Sequence, residues 1–242
     1  MPLYSTEQTD PLTPLTRFEV SPVLEMLQSV QALLDPVRQR EWKELVAKLL
    51  GSRFAERVAG IYHGFHGGCD FNEFAIGSGH TSDIPEFLDF VATLSPTRFL
   101  YYALGRVYPE EELPKRISRR TVESFLEERG TRSHLQHVGA EFSWCDDIAG
   151  AQRTVLELWR EYYTDVFREQ VDMEDFAYRK SIQEKHEMLE NEGGTALYRL
   201  VTGMTKLPEP LPPDMPFTEI VYVPLKLTQR SHSLYFGYGN VT

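Results

Sequence analysis

Hydrophobic residues recur three and four positions apart through the first 203 residues of the chain, which is the spacing of amphipathic helices. Ser21 is a suitable N-cap and Pro22 suits the first helical position, so a first helix is predicted to begin there and to continue to Leu34. Asp35-Pro36 repeats this start. Further helices are predicted over 36–50, 52–66, 83–94, 96–106, 118–129, 155–167, 172–192 and 195–203.

The pattern changes after residue 203. Five prolines lie between 208 and 216, and the ranges 217–225 and 233–238 are rich in Ile, Val, Tyr and Phe, which predicts two strands of a hairpin. The predicted fold is mainly α, a multi-helix domain with a small β-hairpin near the C-terminus. We expect residues 1–207 to form the helical domain with an N-terminal arm. Residues 208–242 would pack on it or lead to a missing module.

Composition narrows the class of protein. Hydrophobic residues at 41% and charged residues at 25% are typical of globular chains, and no apolar run approaches the length of a membrane span. Two cysteines, Cys69 and Cys145, indicate reduced thiols and a cytoplasmic location. The net charge of −11 disfavours direct contact with nucleic acid, which rests on cations facing phosphates.

One cluster has the residue types of a metal site: His63, His66, Cys69 and Asp70, followed by His80. The alternative is that these residues lie at the end of a helix beside a loop. Because Gly67 and Gly68 interrupt the helix and paired CxxC motifs are missing, we predict no bound metal.

Catalytic motifs are also missing. His186-Glu187 begins like a zinc protease motif, but Glu190 stands where the second histidine should be. The chain contains no G-x-S-x-G elbow and neither of the common glycine-rich phosphate-binding motifs. We therefore predict a protein that is not an enzyme and that has no cofactor.

Aromatic residues offer the best candidates for a ligand pocket, one that would take a planar or apolar molecule. The alternative is that they are core residues. The candidates are Tyr62, His66, Tyr101, Tyr102, Trp159 and Tyr162.

Two short segments and a helix carry a resemblance to a known family. They are Phe18-Glu19-Val20-Ser21-Pro22, the helix Leu24 to Leu34 with Asp35-Pro36, and Ile220-Val221-Tyr222-Val223-Pro224. With these segments the chain resembles the amino-terminal regulatory region of a subgroup of ArsR-type winged-helix transcription regulators. It departs from that family in lacking both a recognisable helix-turn-helix and the paired cysteines of the metal-responsive members.

The resemblance implies a sensor or dimerisation domain of a transcription regulator, forming a homodimer and responding to an unknown small-molecule effector. DNA would be bound only through a module outside this chain, encoded after Thr242, and no membrane would be involved. The competing interpretation is a helical metalloprotein or hydrolase that uses the His63 to His80 region.

Overall fold

Helices account for most of the described chain in a computed structural model, which describes residues 10–34, 39–64, 71–103, 106, 110, 113, 147–206, 217–227 and 232–238. A small sheet completes the described structure and includes a hairpin near the C-terminus. The predicted fold class, mainly α with a small C-terminal hairpin, is confirmed. The predicted helix at 118–129 and the proline-rich segment at 208–216 lie outside the described residues.

The helices are α1 Pro22–Gln31, α2 Arg40–Leu50, α3 Ser52–Gly64, α4 Asn72–Ile76, α5 Ile84–Thr93, α6 Pro96–Ala103, α7 Ile148–Tyr162, α8 Arg168–Gln170, α9 Phe176–Glu192 and α10 Gly194–Thr202. A π-helical turn, Tyr163–Phe167, joins α7 to α8. The strands are β1 Thr16–Phe18, β2 Phe217–Pro224 and β3 His232–Tyr238.

The chain forms two compact units. The helical unit contains residues 21–172 and 227–229, and the sheet unit contains residues 1–20, 173–226 and 230–242. This grouping differs from the predicted division at residue 207, because the N-terminal arm and the last two helices group with the hairpin.

Local signals explain where several helices of the helical unit begin. The side chain of Ser21 accepts a hydrogen bond from the Leu24 amide (3.1 Å), as its N-cap pattern predicts. Asp83 caps α5 in the same way, at 2.7 Å from the Glu86 amide. Helix α2 begins later than predicted, at Arg40, and the backbone enters it through Gln39 in the left-handed conformation.

Helix α7 packs against α3, α5 and α6 and supplies two of the largest fully buried side chains of the helical unit, Trp159 and Tyr162. Its apolar residues fall on one stripe, as the spacing predicts. Each side chain of this size that is fully buried contributes about 1.5–3 kcal/mol. The buried members of the stripe are Val155, Leu156, Leu158, Trp159 and Tyr162.

The sheet unit has the strand order β1-β2-β3, with β1 parallel to β2 and β2 antiparallel to β3. Helices α9 and α10 pack on these strands. The core includes Leu197, Val201 and Tyr222. Strand β1 comes from the N-terminal arm and was not predicted as a strand.

Charged residues at the start of α9 do not form the Asp175–Arg179 pair that their four-residue spacing favours. Asp175 caps α9 by accepting a hydrogen bond from the Ala177 amide (2.8 Å) and pairs with Lys226 at 2.6 Å. Arg179 faces Glu174 instead, at 3.6 Å. As the N-cap, the Asp175 carboxylate points to the backbone amides of the first turn of α9. It therefore lies away from the side chain of Arg179, four residues later.

Candidate functional site

Three predicted pocket residues lie together in the core of the helical unit. The indole N–H of Trp159 donates a hydrogen bond to the hydroxyl oxygen of Tyr62 (3.0 Å), and both side chains are fully buried. Phe71 makes edge-to-face contacts with both rings, at centroid distances of 5.2 Å to Trp159 and 4.9 Å to Tyr62. Helix α3 presents Tyr62 and helix α7 presents Trp159, so the packing of these two helices creates the contact.

Tyr162 lies one turn after Trp159 and extends the cluster toward α1. Its hydroxyl is 2.6 Å from the hydroxyl of Ser29, which itself donates to the Met26 carbonyl (2.8 Å). A hydroxyl has one proton, so Tyr162 is the donor to Ser29. Burial raises the pKa of Tyr162 above its ordinary value, and the nearby charge of Glu25 adds to the rise. Burial also raises the pKa of Tyr62. Both phenols therefore stay protonated at neutral pH.

Two other candidates, Tyr101 and Tyr102, lie on α6 beside a cation. The guanidinium carbon of Arg98 is 5.3 Å from the ring centre of Tyr101 and 5.4 Å from that of Tyr102. Phe74 contacts both Tyr102 (5.5 Å) and Trp159 (6.0 Å), so it links this pair to the buried cluster. Tyr102 is buried and Tyr101 is half-buried.

The candidate pocket residues therefore divide into three groups. Tyr62, Trp159 and Tyr162 form one buried cluster with hydrogen bonds among themselves and their neighbours, which we call the aromatic cluster. Tyr101 and Tyr102 lie beyond Phe74, and His66 lies outside the described residues. Protonated phenols and an indole can bind a ligand through ring contacts and hydrogen bonds.

The candidate metal ligands are described only in part. The side chain of His63 and the residues Cys69 and Asp70 lie outside the described residues. His80 stacks on Phe90 at 4.5 Å, and its Nδ1 is 3.5 Å from a carboxylate oxygen of Glu86. Within the described ranges, His, Cys, Asp and Glu side chains form no group of three that could hold a metal. Metal content remains a prediction.

Polar residues on α1 are the main feature that sequence reasoning missed. Ser21, which is the N-cap of α1, recurs at four-residue spacing with Glu25 and Ser29 within the helix. All three are fully buried, although apolar residues dominate the helix. This spacing was visible in the sequence. The apolar residues of α1 account for the helix without it, so the spacing alone does not indicate burial.

A second missed feature is an ion pair between Arg106 and Glu73. The two side chains are only 16% and 15% exposed and lie 2.7 Å apart. Arg106 has a φ of +55°, and its side chain covers Gly77 so closely that a Cβ there would clash with it. Left-handed backbone at an arginine depends on tertiary packing, which residue type does not indicate.

The chain matches no protein-family model, no curated protein and no solved structure. Among the described helices, none is both long and apolar enough to cross a membrane. A function therefore has to be inferred from the residues and their arrangement.

Proposed function

We propose that this chain is the regulatory part of a transcription regulator similar to the ArsR type, and that it senses an effector or forms the dimer. DNA is bound by a winged helix outside residues 1–242. The chain itself is not an enzyme in this proposal. The effector is a small molecule that reaches the aromatic cluster.

The observation that carries the proposal is the pairing of the two segments on which the resemblance rests. Phe18 and Tyr222 are register partners in the parallel pairing of β1 with β2. The pairing continues past the strand, because the Glu19 amide donates to the Tyr222 carbonyl at 3.0 Å. Two of the segments that carry the resemblance, about 200 residues apart, thus pair in one sheet.

The net charge of the chain also supports a regulator in which a separate module binds DNA. A net charge of −11 produces a field that repels phosphate, so a regulator containing this chain needs a separate basic module. The aromatic cluster supplies the rings and hydroxyl groups that such an effector would contact, and it is fully buried.

The reading frame beyond Thr242 tests the proposal first, and we expect it to encode a basic winged helix. The full product should then retard duplex DNA from its own promoter in a gel-shift assay at physiological salt. Residues 1–242 alone are the matched control and should not retard it. A reading frame without a DNA-binding module, or selective retardation by residues 1–242 alone, would contradict the proposal.

A further inference from the structure

Glu25 is a fully buried carboxylate in the first turn of α1. Its Oε1 accepts a hydrogen bond from the backbone amide of Leu227 at 2.7 Å. The two residues are 202 positions apart, and both belong to the helical unit. A glutamate with no exposed surface is rare in proteins unless its charge has such partners.

The contact lies close in sequence to the end of strand β2. Strand β2 ends at Pro224, and Leu227 follows only three residues later. Leu227 groups with the helical unit, although Lys226 directly before it groups with the sheet unit. The Glu25 carboxylate therefore holds the backbone of Leu227 by a hydrogen bond.

The same face of α1 reaches the aromatic cluster. Ser29 lies one turn after Glu25 and is bonded to the hydroxyl of Tyr162. The charge of Glu25 also acts on the phenol of Tyr162, so the carboxylate and the phenol are electrostatic neighbours. A shift of α1 that breaks the Ser29–Tyr162 contact would also move Glu25 relative to Leu227.

The first-turn position of Glu25 and the hydrogen bond from Leu227 offset part of the cost of burying its charge. Removing a charge from water is costly, and an apolar residue of similar size often packs at least as well in its place. A buried charge with a backbone partner can also make the chain switch between two distinct arrangements. In one the hydrogen bond is formed, and in the other it is broken.

We propose that Glu25 is a latch that holds the Leu227 backbone on α1 and couples it to the Ser29–Tyr162 contact. Its regulatory meaning rests on the proposed function, in which the segment after β3 leads to the DNA-binding module. An effector at the aromatic cluster would weaken the Ser29–Tyr162 contact, shift α1 and release Leu227. The existence of the latch does not depend on DNA binding.

Hydrogen exchange at the Leu227 amide of residues 1–242 tests the latch directly. Glu25→Leu removes the acceptor and should speed exchange at Leu227 by about tenfold or more, because hydrogen bonds to charged groups are the stronger ones. Glu25→Gln keeps an acceptor oxygen and should have a smaller effect. Glu157→Leu, at an exposed position on α7, is the matched control.

Coupling is tested by Tyr162→Phe, which removes the hydroxyl that reaches Ser29, with Tyr101→Phe as its control. Faster exchange at Leu227 in Tyr162→Phe alone is the expected result, while most amides of α7 keep their protection. Unchanged exchange at Leu227 in Glu25→Leu, or equal loss of protection throughout the chain, would overturn the latch. Unchanged exchange at Leu227 in Tyr162→Phe would overturn the coupling.

The latch and the proposed function can fail separately. The same Glu25 variants are placed in the product of the full reading frame and examined by gel shift. Altered exchange in a product that binds no DNA would retain the latch and reject the regulator. Normal exchange in a product that binds DNA would reject the latch and retain the regulator.

Discussion

Asp10 caps the amino end of helix α10 at Thr195, although the two residues are 185 positions apart. One carboxylate oxygen accepts a hydrogen bond from the Thr195 amide at 3.0 Å, and the other accepts from the Leu12 amide at 2.9 Å. Gly193 leaves room for this arrangement, since a Cβ there would lie 2.9 Å from the carboxylate. The cap fixes the N-terminal arm on the sheet unit next to β1.

We expect Asp10→Ala to lower the free energy of unfolding by about 1 kcal/mol at pH 7, the usual effect of losing an N-cap. The hydrogen bonds lower the pKa of Asp10, outweighing the opposing effect of burial, which is the largest single contribution. The stabilisation is therefore complete above the unfolded pKa near 4 and is lost as the pH falls through the folded value.

Urea denaturation at pH 7 and at pH 3 measures this effect. The difference between the wild-type chain and Asp10→Ala should shrink at the lower pH. Asp165→Ala, at an exposed position, serves as the control. A difference that stays constant with pH would show that the charge of Asp10 has no part in the cap.

The cap and β1 also show what could not be predicted from the sequence. Thr16–Phe18 is three residues long, too short for an alternating pattern, and its partner strand begins about 200 residues later. Parallel pairing of so short a segment depends on a sheet edge that only the folded unit creates. The helices were easier to predict, because their end signals are local. Ser21 caps the start of α1 and Gly51 ends α2, and each acts on residues next to it in the sequence.

The same distinction applies to the candidate site. The apolar stripe of α7 correctly predicts Trp159 and Tyr162 on one face, because the spacing belongs to a single helix. The hydrogen bonds to Tyr62 and Ser29 join three helices and have no local signal. The π-helical turn directly after Tyr162 was likewise not predicted, since its residues continue the helical spacing.

We next predict that Tyr62→Phe destabilises the helical unit by about 1–3 kcal/mol, since it leaves the buried N–H of Trp159 without its acceptor. Urea denaturation followed by tryptophan fluorescence measures the loss. Trp159→Phe alone and together with Tyr62→Phe completes a double-mutant cycle. A coupling energy near zero would mean that the hydrogen bond contributes nothing to stability.

The buried phenols should make the protein sensitive to alkali. Because burial raises the pKa of both Tyr62 and Tyr162, the folded state keeps protons that the unfolded state loses. Their contribution is complete below pH 10 and is lost as the pH rises above it. The urea concentration at the midpoint of unfolding should therefore decrease as the pH is raised from 9 to 11.

The double variant Tyr62→Phe with Tyr162→Phe should reduce that alkaline fall, because phenylalanine does not ionise. Tyr101→Phe with Tyr163→Phe, at half-buried positions, is the control and should retain it. Equal falls in the two double variants would show that other groups cause the sensitivity.

The last prediction concerns the homodimer, which remains a prediction. The aromatic residues crowded at 99–102 and 159–163 favour an apolar dimer patch on sequence grounds. In the structure, however, Phe99, Tyr102, Trp159 and Tyr162 are all buried within one chain. These buried residues are therefore poor candidates for a dimer interface. Leu200 and Met204, in the sheet unit, are better candidates, since they are 54% and 59% exposed and lie four residues apart.

Light scattering at micromolar concentration decides the question. A dimer has twice the chain mass of 27.9 kDa, and Leu200→Glu should return it toward the monomer, because a carboxylate in an apolar interface loses its hydration without a partner. Glu157→Gln is the control for a surface change elsewhere. A wild-type mass that stays near 28 kDa on concentrating would eliminate the dimer. A dimer unaffected by Leu200→Glu would assign the interface to another surface.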